Sequence, residues 1–319
     1  MLTDIIHAPL GELLEETDKV RSSQFGYEID LCAIVNIKSG RCRMNCQFCA
    51  QSQHHHTAIE TYPLAQTGEL ENETRRLWNK NIRHVGWVSS GHSPSTEELD
   101  KIIESATALL GAGTETNHET SQMSNQICCA SLGQLDATAM NRLKDVGFGR
   151  YHHNLETSER FYPAICTTQR WQDRRATIER AKKLGWNVCS GGLFGIGETW
   201  EDRLQLALTL KELEVDSVPI NFLNPIVGTP LADRKMLLPD EALRIIALFR
   251  LTLPTATIRI CGGRPGVFTQ SEQEELLFRA GANALMTGNY LTTSGISPEK
   301  DQAMIERTGF TISKSAGSK

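Results

Sequence analysis

The chain has 319 residues, 39% hydrophobic and 22% charged, with a formal net charge of -5 and a pI near 6.0. That composition supplies a large core and excludes a disordered chain. It also carries no basic footprint for nucleic acid, and no stretch approaches the ~20 apolar residues of a membrane span. The N-terminal MLTDIIHAPLGELLEETDK has early acidic residues and no apolar run, so it does not read as a secretory signal. The expected compartment is cytoplasmic. In such a chain the nine cysteines point to metal binding or chemistry rather than to a disulfide framework.

In chain order, residues 8–27 read as a helix packed outside the main fold. Apolar, β-rich runs then recur at 31–37, 84–89, 126–130, 149–154, 187–193, 216–222, 257–261 and 283–288. Helical patterns separate them. Ser95-Thr-Glu-Glu98 opens one with an N-cap. Asp136 to Val146 closes at Gly147, and 168–184 closes at Gly185. Further helices cover 200–213 and run from Pro239 to about residue 251. Strands alternating with helices imply parallel βαβ units, and eight of them imply a closed barrel. The expected fold class is therefore α/β, a (β/α)8 TIM-type barrel. A helical extension at 1–30, a barrel at 31–312 and a frayed tail at 313–319 form a single domain. An open, doubly wound sheet is the alternative.

The strongest local signal is Cys42-Arg-Met-Asn-Cys46-Gln-Phe-Cys49, directly after the first strand and Lys38-Ser39-Gly40. Thiolates are soft ligands suited to iron–sulfur clusters or zinc. An electron-transferring cluster usually takes four cysteines. Three within eight residues leave one iron open, and catalysis needs an open position. The competing reading is structural zinc with a fourth ligand from His54, His55 or His56; otherwise that histidine run is a solvated loop.

The spacing and place of this loop resemble the signature of radical S-adenosylmethionine (SAM) enzymes. The resemblance implies a [4Fe–4S] cluster on Cys42, Cys46 and Cys49 whose open iron chelates SAM and cleaves it to methionine and a 5′-deoxyadenosyl radical. NIKSGRCRMNCQFCAQS, Tyr151-His-His-Asn-Leu-Glu-Thr-Ser158, Val188-Cys-Ser-Gly-Gly-Leu-Phe-Gly-Ile-Gly-Glu-Thr199, Ser217-Val-Pro-Ile-Asn-Phe-Leu223, Gly228-Thr-Pro-Leu231, Ile258-Arg-Ile-Cys-Gly-Gly-Arg264 and Leu291-Thr-Thr293 narrow it further. In this order, they resemble the biotin synthase family. That family inserts sulfur into dethiobiotin, with sulfur donated by an auxiliary iron–sulfur cluster. The alternative is another radical SAM enzyme of the same barrel acting on a different small molecule; a cluster carrier without catalysis is a third reading.

Cys129, Cys189 and Cys261 fall on three alternate candidate strands, so they can converge inside a barrel. Side chains two apart share a strand face. Arg259 and Cys261 should therefore point one way, and Cys128 and Cys129 opposite ways. By resemblance, the auxiliary cluster is [2Fe–2S], held by three cysteines and an arginine, and Cys129, Cys189 and Arg259 match three of those ligands. The remaining cysteine is replaced by Gly86, which cannot ligate. Cys261 is the expected replacement, with the option of a cluster of variant nuclearity. Its other reading is a small core residue, and Cys32 and Cys166 read as structural.

His152, Asn154 and Glu156 share one strand face. The resemblance implies that Asn154 and Glu156 bind the SAM ribose, Asn154 also touching substrate, and that Arg174 pairs with the SAM carboxylate. It implies that Asn221 holds the ureido ring of dethiobiotin and that Thr292 and Thr293 bind its carboxylate. His152 stands where the family more often has Asn, and Glu156 where it has Asp. The run Gly191 to Gly197 reads as close-approach backbone beside the SAM adenine. An electron donor such as flavodoxin or ferredoxin and a homodimer are implied by the resemblance alone.

Overall fold

The computed structural model describes residues 2–111 and 126–313, so the tail expected at 313–319 lies outside the described residues from residue 314 on. It opens with two helices, α1 (Leu2–His7) and α2 (Leu10–Phe25), where the periodicity predicts one. Pro9 stands between them with ψ 129°, because proline cannot continue a helix interior. The pair is tied to the outer helices. Thr17 Oγ1 donates to Arg279 O at 2.7 Å, and Arg244 Nη1 donates to Ile5 O and Ala8 O at 2.7 and 2.9 Å.

The main fold then runs β1 (Glu28–Lys38), α3 (Thr67–Trp78), β2 (His84–Ser89), α4 (Thr96–Leu110), β3 (Ile127–Ser131), α5 (Ala137–Asp145) and β4 (Arg150–His152). It continues with α6 (Trp171–Lys183), β5 (Asn187–Cys189), β6 (Gly192–Phe194), α7 (Trp200–Glu212), β7 (Ser217–Phe222), α8 (Pro239–Thr252) and β8 (Thr257–Ile260). Last come α9 (Arg264–Val267), α10 (Ser271–Arg279), β9 (Ala284–Met286), α11 (Pro298–Arg307) and β10 (Thr311–Ile312). Ser95 caps α4 as its motif predicts: its hydroxyl accepts from Glu98 N while Glu98 accepts from Ser95 N at 2.9 Å.

All strand pairs are parallel, in the order β10-β1-β2-β3-β4-β5-β7-β8-β9. β9 also pairs with β1, through Asp30↔Ala284, Leu31↔Leu285 and Cys32↔Met286, and this closes the barrel and excludes the open sheet. The predicted fifth strand is split. β5 and β6 both lie against β7, with Ser190 and Gly191 between them. The break faces Pro219, which has no N–H to give a ladder, and a Cβ at Gly191 would stand 2.0 Å from Pro219 O. The predicted fourth strand ends early, at His152, so Asn154 and Glu156 lie beyond it rather than on one strand face with His152, on a segment that turns through Glu156 at φ +70°.

Side chains alternate across each strand. One set, including Val85, Trp87, Cys128, Ala130, Tyr151, Val188 and Ile258, packs into the apolar layer shared with the helices. Trp87 meets Phe148 edge-on at 5.6 Å and donates to Thr74 Oγ1 at 2.9 Å. The other set faces the axis and is far more polar.

The segment leaving β8 is anchored by a buried charge. Arg264 lies fully inside, donates to both oxygens of Asp301 at 2.7 and 2.8 Å, and also pairs with Glu274. Removing one partner of such a pair strands the other charge, at roughly 3–5 kcal/mol. Arg264→Ala is therefore expected to lower the unfolding free energy by about that amount in denaturant titration. The double variant Arg264→Ala/Asp301→Ala should lose less than the sum of the two single variants, and strict additivity would contradict the assignment.

Candidate active site

A cavity of about 370 Å³ occupies the barrel axis and opens towards the C-terminal ends of the strands. A second, of about 210 Å³, lies under the loop that follows β1. Ser131, His152, Asn154 and Glu156 line both, so the two spaces meet.

Cys42, Cys46 and Cys49 line the outer space. Their loop leaves β1 through Gly40 at φ +78°, where a Cβ would meet the Thr61 methyl at 2.4 Å. Cys42 N donates to Gln51 O at 2.9 Å and Gln53 N to Cys42 O at 2.8 Å, which folds the loop back on itself. Asn45 pins it across the mouth, donating to Thr167 Oγ1 at 2.7 Å and accepting from Thr167 N at 2.9 Å. The histidine run has a role the sequence reading missed. The His54 and His55 rings are bonded at 3.0 Å to the carbonyls of Arg43 and Cys46, so they staple the loop backbone. Burial pushes the Cys49 thiol up to about 11. Cys46 is held protonated by its hydrogen bond to Cys166 and by burial. Cys166 is thus more than inert packing: it stands against a loop cysteine.

Facing this loop are Asn154, Glu156 and Arg174. Arg174 Nε donates to Tyr162 OH at 2.7 Å, Nη1 donates to Asn154 O at 2.8 Å, and Glu156 Oε1 lies 3.7 Å from Nη1. Tyr162 carries no motif signal; only the fold brings it under the guanidinium. Burial raises the Glu156 pKa above the usual carboxylate range, against the pull of Arg174 and His152. Glu156 also holds a left-handed backbone, as strained residues at functional sites often do. Asn154 Oδ1 accepts from Gly191 N at 3.0 Å. The close approach at Gly191 and Gly192 is to the protein's own Pro219 and Glu156 carbonyls, at 2.0 and 2.5 Å from a built Cβ.

The inner cavity holds Cys129, Cys189, Arg259 and Cys261, and Cys128 points into the apolar layer behind Cys129. Cys261 Sγ donates to Arg259 O at 3.8 Å. Three residues not singled out from the sequence join them, Asp30, which pairs with Arg259, His84 and Arg150, together with Cys32, which the sequence reads as structural. His84 Nε2 is 3.4 Å from Asp30, yet burial drives its pKa well down. Burial pushes Cys129 up to about 12 and Cys32 up to about 11. At Cys189 burial acts in the same direction, but the hydrogen bond and charge of His152, with Arg150 and Arg259, outweigh it and bring the thiol down to about 7. His152 is thereby engaged with Cys189.

At the mouth, Asn221 Oδ1 accepts from Gly262 N at 3.0 Å and Nδ2 donates to Gly192 O at 3.2 Å. An amide has two donors and two acceptor sites, so one of each is left for the cavity that Asn221 lines. Thr292 and Thr293 line the same cavity, on a turn in which Tyr290 N donates to Thr293 O at 2.9 Å. Tyr290 OH reaches Cys261 O at 3.1 Å.

The donor sets fit two iron–sulfur clusters. Outside, three thiols border a space that also receives a buried arginine, a side chain whose fork suits a carboxylate. Inside, the guanidinium Nη1 of Arg259 is buried among thiols with no hydrogen-bond partner.

Residues 36–210 match the model of the Radical SAM superfamily, and residues 219–311 match that of the Biotin and Thiamin Synthesis associated domain. The biotin synthase of Desulfovibrio desulfuricans is 46% identical over 308 residues, covering 97% of this chain and 93% of that protein. Those of Syntrophus aciditrophicus and Clostridium botulinum are 41% and 40% identical, covering 96% and 97% of this chain and 90% and 93% of theirs. Among solved structures, methylornithine synthase superposes with a TM-score of 0.81 at 20% identity, covering 98% of this chain and 93% of that one, a likeness of fold. The chain belongs to the biotin synthase family of the radical SAM superfamily.

Proposed function

We propose that this chain makes biotin by inserting sulfur into dethiobiotin, with substrate held where the two cysteine-lined spaces meet. The observation that carries the reading is that junction: His152, Asn154 and Glu156 border both a three-thiol pocket and a deeper thiol-and-arginine pocket. When bound, the four-iron cluster with SAM supplies the hydrogen-abstracting 5′-deoxyadenosyl radical, and the auxiliary cluster supplies sulfur.

The chain's own residues position these partners. Cys42, Cys46 and Cys49 hold the outer cluster. Arg174 receives the SAM carboxylate, its fork pre-set by Tyr162 and by the Asn154 carbonyl. Asn154 and Glu156 take the ribose. Asn221 offers its remaining donor and acceptor to the ureido ring, Thr292 and Thr293 take the substrate carboxylate, and His152 borders the substrate from the Cys189 side. Cys129, Cys189 and Arg259 hold the auxiliary cluster. The inward side chains leave the junction lined mainly by polar groups and thiols. No helix among the described residues is long and apolar enough to cross a membrane. A cytoplasmic homodimer reduced by flavodoxin or ferredoxin completes the proposal.

The direct test is anaerobic. Protein reconstituted with iron and sulfide is mixed with SAM, a reductant and dethiobiotin, and products are followed by mass spectrometry. Biotin appearing with 5′-deoxyadenosine is expected. 5′-Deoxyadenosine without biotin would overturn the substrate, and neither product from iron-loaded protein would overturn the radical chemistry.

Arg174→Lys keeps the charge and removes the planar fork. Losing one charge-assisted bond costs about 1.5–3 kcal/mol, so SAM affinity is expected to fall roughly 10–100-fold. Equilibrium dialysis against labelled SAM reads this directly, and an unchanged Kd would remove Arg174 from the SAM site.

A further inference from the structure

The family's auxiliary-cluster set of three cysteines and an arginine lacks one cysteine here, because Gly86 stands in its place. The barrel register indicates which residue makes up the loss. In a tilted eight-position barrel, residues at one height advance by one for each strand crossed. Cys32 pairs with His84; one step on, Val85 pairs with Cys128, and the next step is Cys129. Cys129 pairs with Arg150; one step on, Tyr151 pairs with Val188, and the next step is Cys189. Cys189 pairs with Ser217; one step on, Val218 pairs with Ile258, and the next step is Arg259. Arg259 pairs with Ala284; one step on, Leu285 pairs with Leu31, and the next step returns to Cys32.

The walk closes on itself. Cys32, Cys129, Cys189 and Arg259 therefore form one inward layer, contributed by alternate positions of the barrel as such layers are. All four line the inner cavity. Cys261, the replacement expected from the sequence, lies two residues beyond Arg259 on the same face, so it belongs to the next layer towards the mouth.

We propose that Cys32, on β1, is the third cysteine ligand of the auxiliary cluster, standing in for the cysteine missing at Gly86. The proposal rests on the auxiliary-cluster reading above. It keeps the three-cysteine-and-arginine set and moves one thiol to the neighbouring strand. The position left behind is not blocked: a Cβ built at Gly86 meets Ile34 Cγ2 at 3.5 Å, Ala33 O at 3.9 Å and Cys129 Cβ at 4.0 Å, ordinary contacts.

The test isolates the inner cluster by its iron. Cys42→Ala, Cys46→Ala and Cys49→Ala are combined, the protein is reconstituted anaerobically, and iron and sulfide per chain are measured with the Mössbauer spectrum. Adding Cys32→Ser to this background is expected to lower retained iron by about tenfold or more during chelator challenge, whereas adding Cys261→Ser leaves it unchanged. Gly86→Cys is expected to restore iron to the Cys32→Ser protein, which separates lost ligation from lost folding. Iron retained in full after Cys32→Ser overturns the Cys32 assignment alone. A three-alanine background that binds no iron overturns the auxiliary-cluster reading, and this assignment with it.

Discussion

Everything at the centre of this protein depends on one geometrical constraint, the closure of a parallel ladder from β9 back onto β1. Closure forces the strands to tilt, and tilt turns alternate strands into contributors to shared layers. A residue's neighbours inside the barrel are then set by register, not by sequence distance. Cys32 and Arg259 are 227 positions apart in the chain (259 − 32) and still meet at one level. The price is that the axis must hold polar groups that no helix can cover.

Those groups are balanced in pairs. Arg259 is buried beside Asp30, and isolating either would be costly, since a lone buried charge loses its hydration without return. Around this pair burial keeps most thiols protonated, Cys129 and Cys32 among them, while His152 and the two arginines draw Cys189 down to about 7. Metal ligation requires thiolates and releases their protons. The positive side chains that draw Cys189 down would also offset the negative charge of a thiolate-bound cluster.

The mouth is organised differently. There, loops rather than strands carry the donors, and each loop is held by side chain-to-backbone bonds: His54 and His55 on the three-cysteine loop, Asn45 across to Thr167, and Asn221 bridging Gly192 and Gly262. These contacts supply the rigidity that a loop lacks by itself. They link the stable barrel to a site where a radical must be formed at a set distance from substrate.

The sequence by itself determined the class of fold, because the two-residue and helical periodicities are local properties, and it determined the outer cysteine loop, because three soft ligands within eight residues are a local signal. It also determined that Cys128 and Cys129 point apart, a consequence of strand geometry alone. Only the tertiary structure decided what no local pattern encodes. Pro219 broke the fifth strand from across the ladder, Tyr162 came to hold Arg174, and Asp30 came to neutralise Arg259. Cys32 and Cys261 look alike as isolated cysteines on apolar strands. The register of a closed barrel distinguishes them, since the height of a side chain along the axis depends on every strand pairing between it and its neighbours.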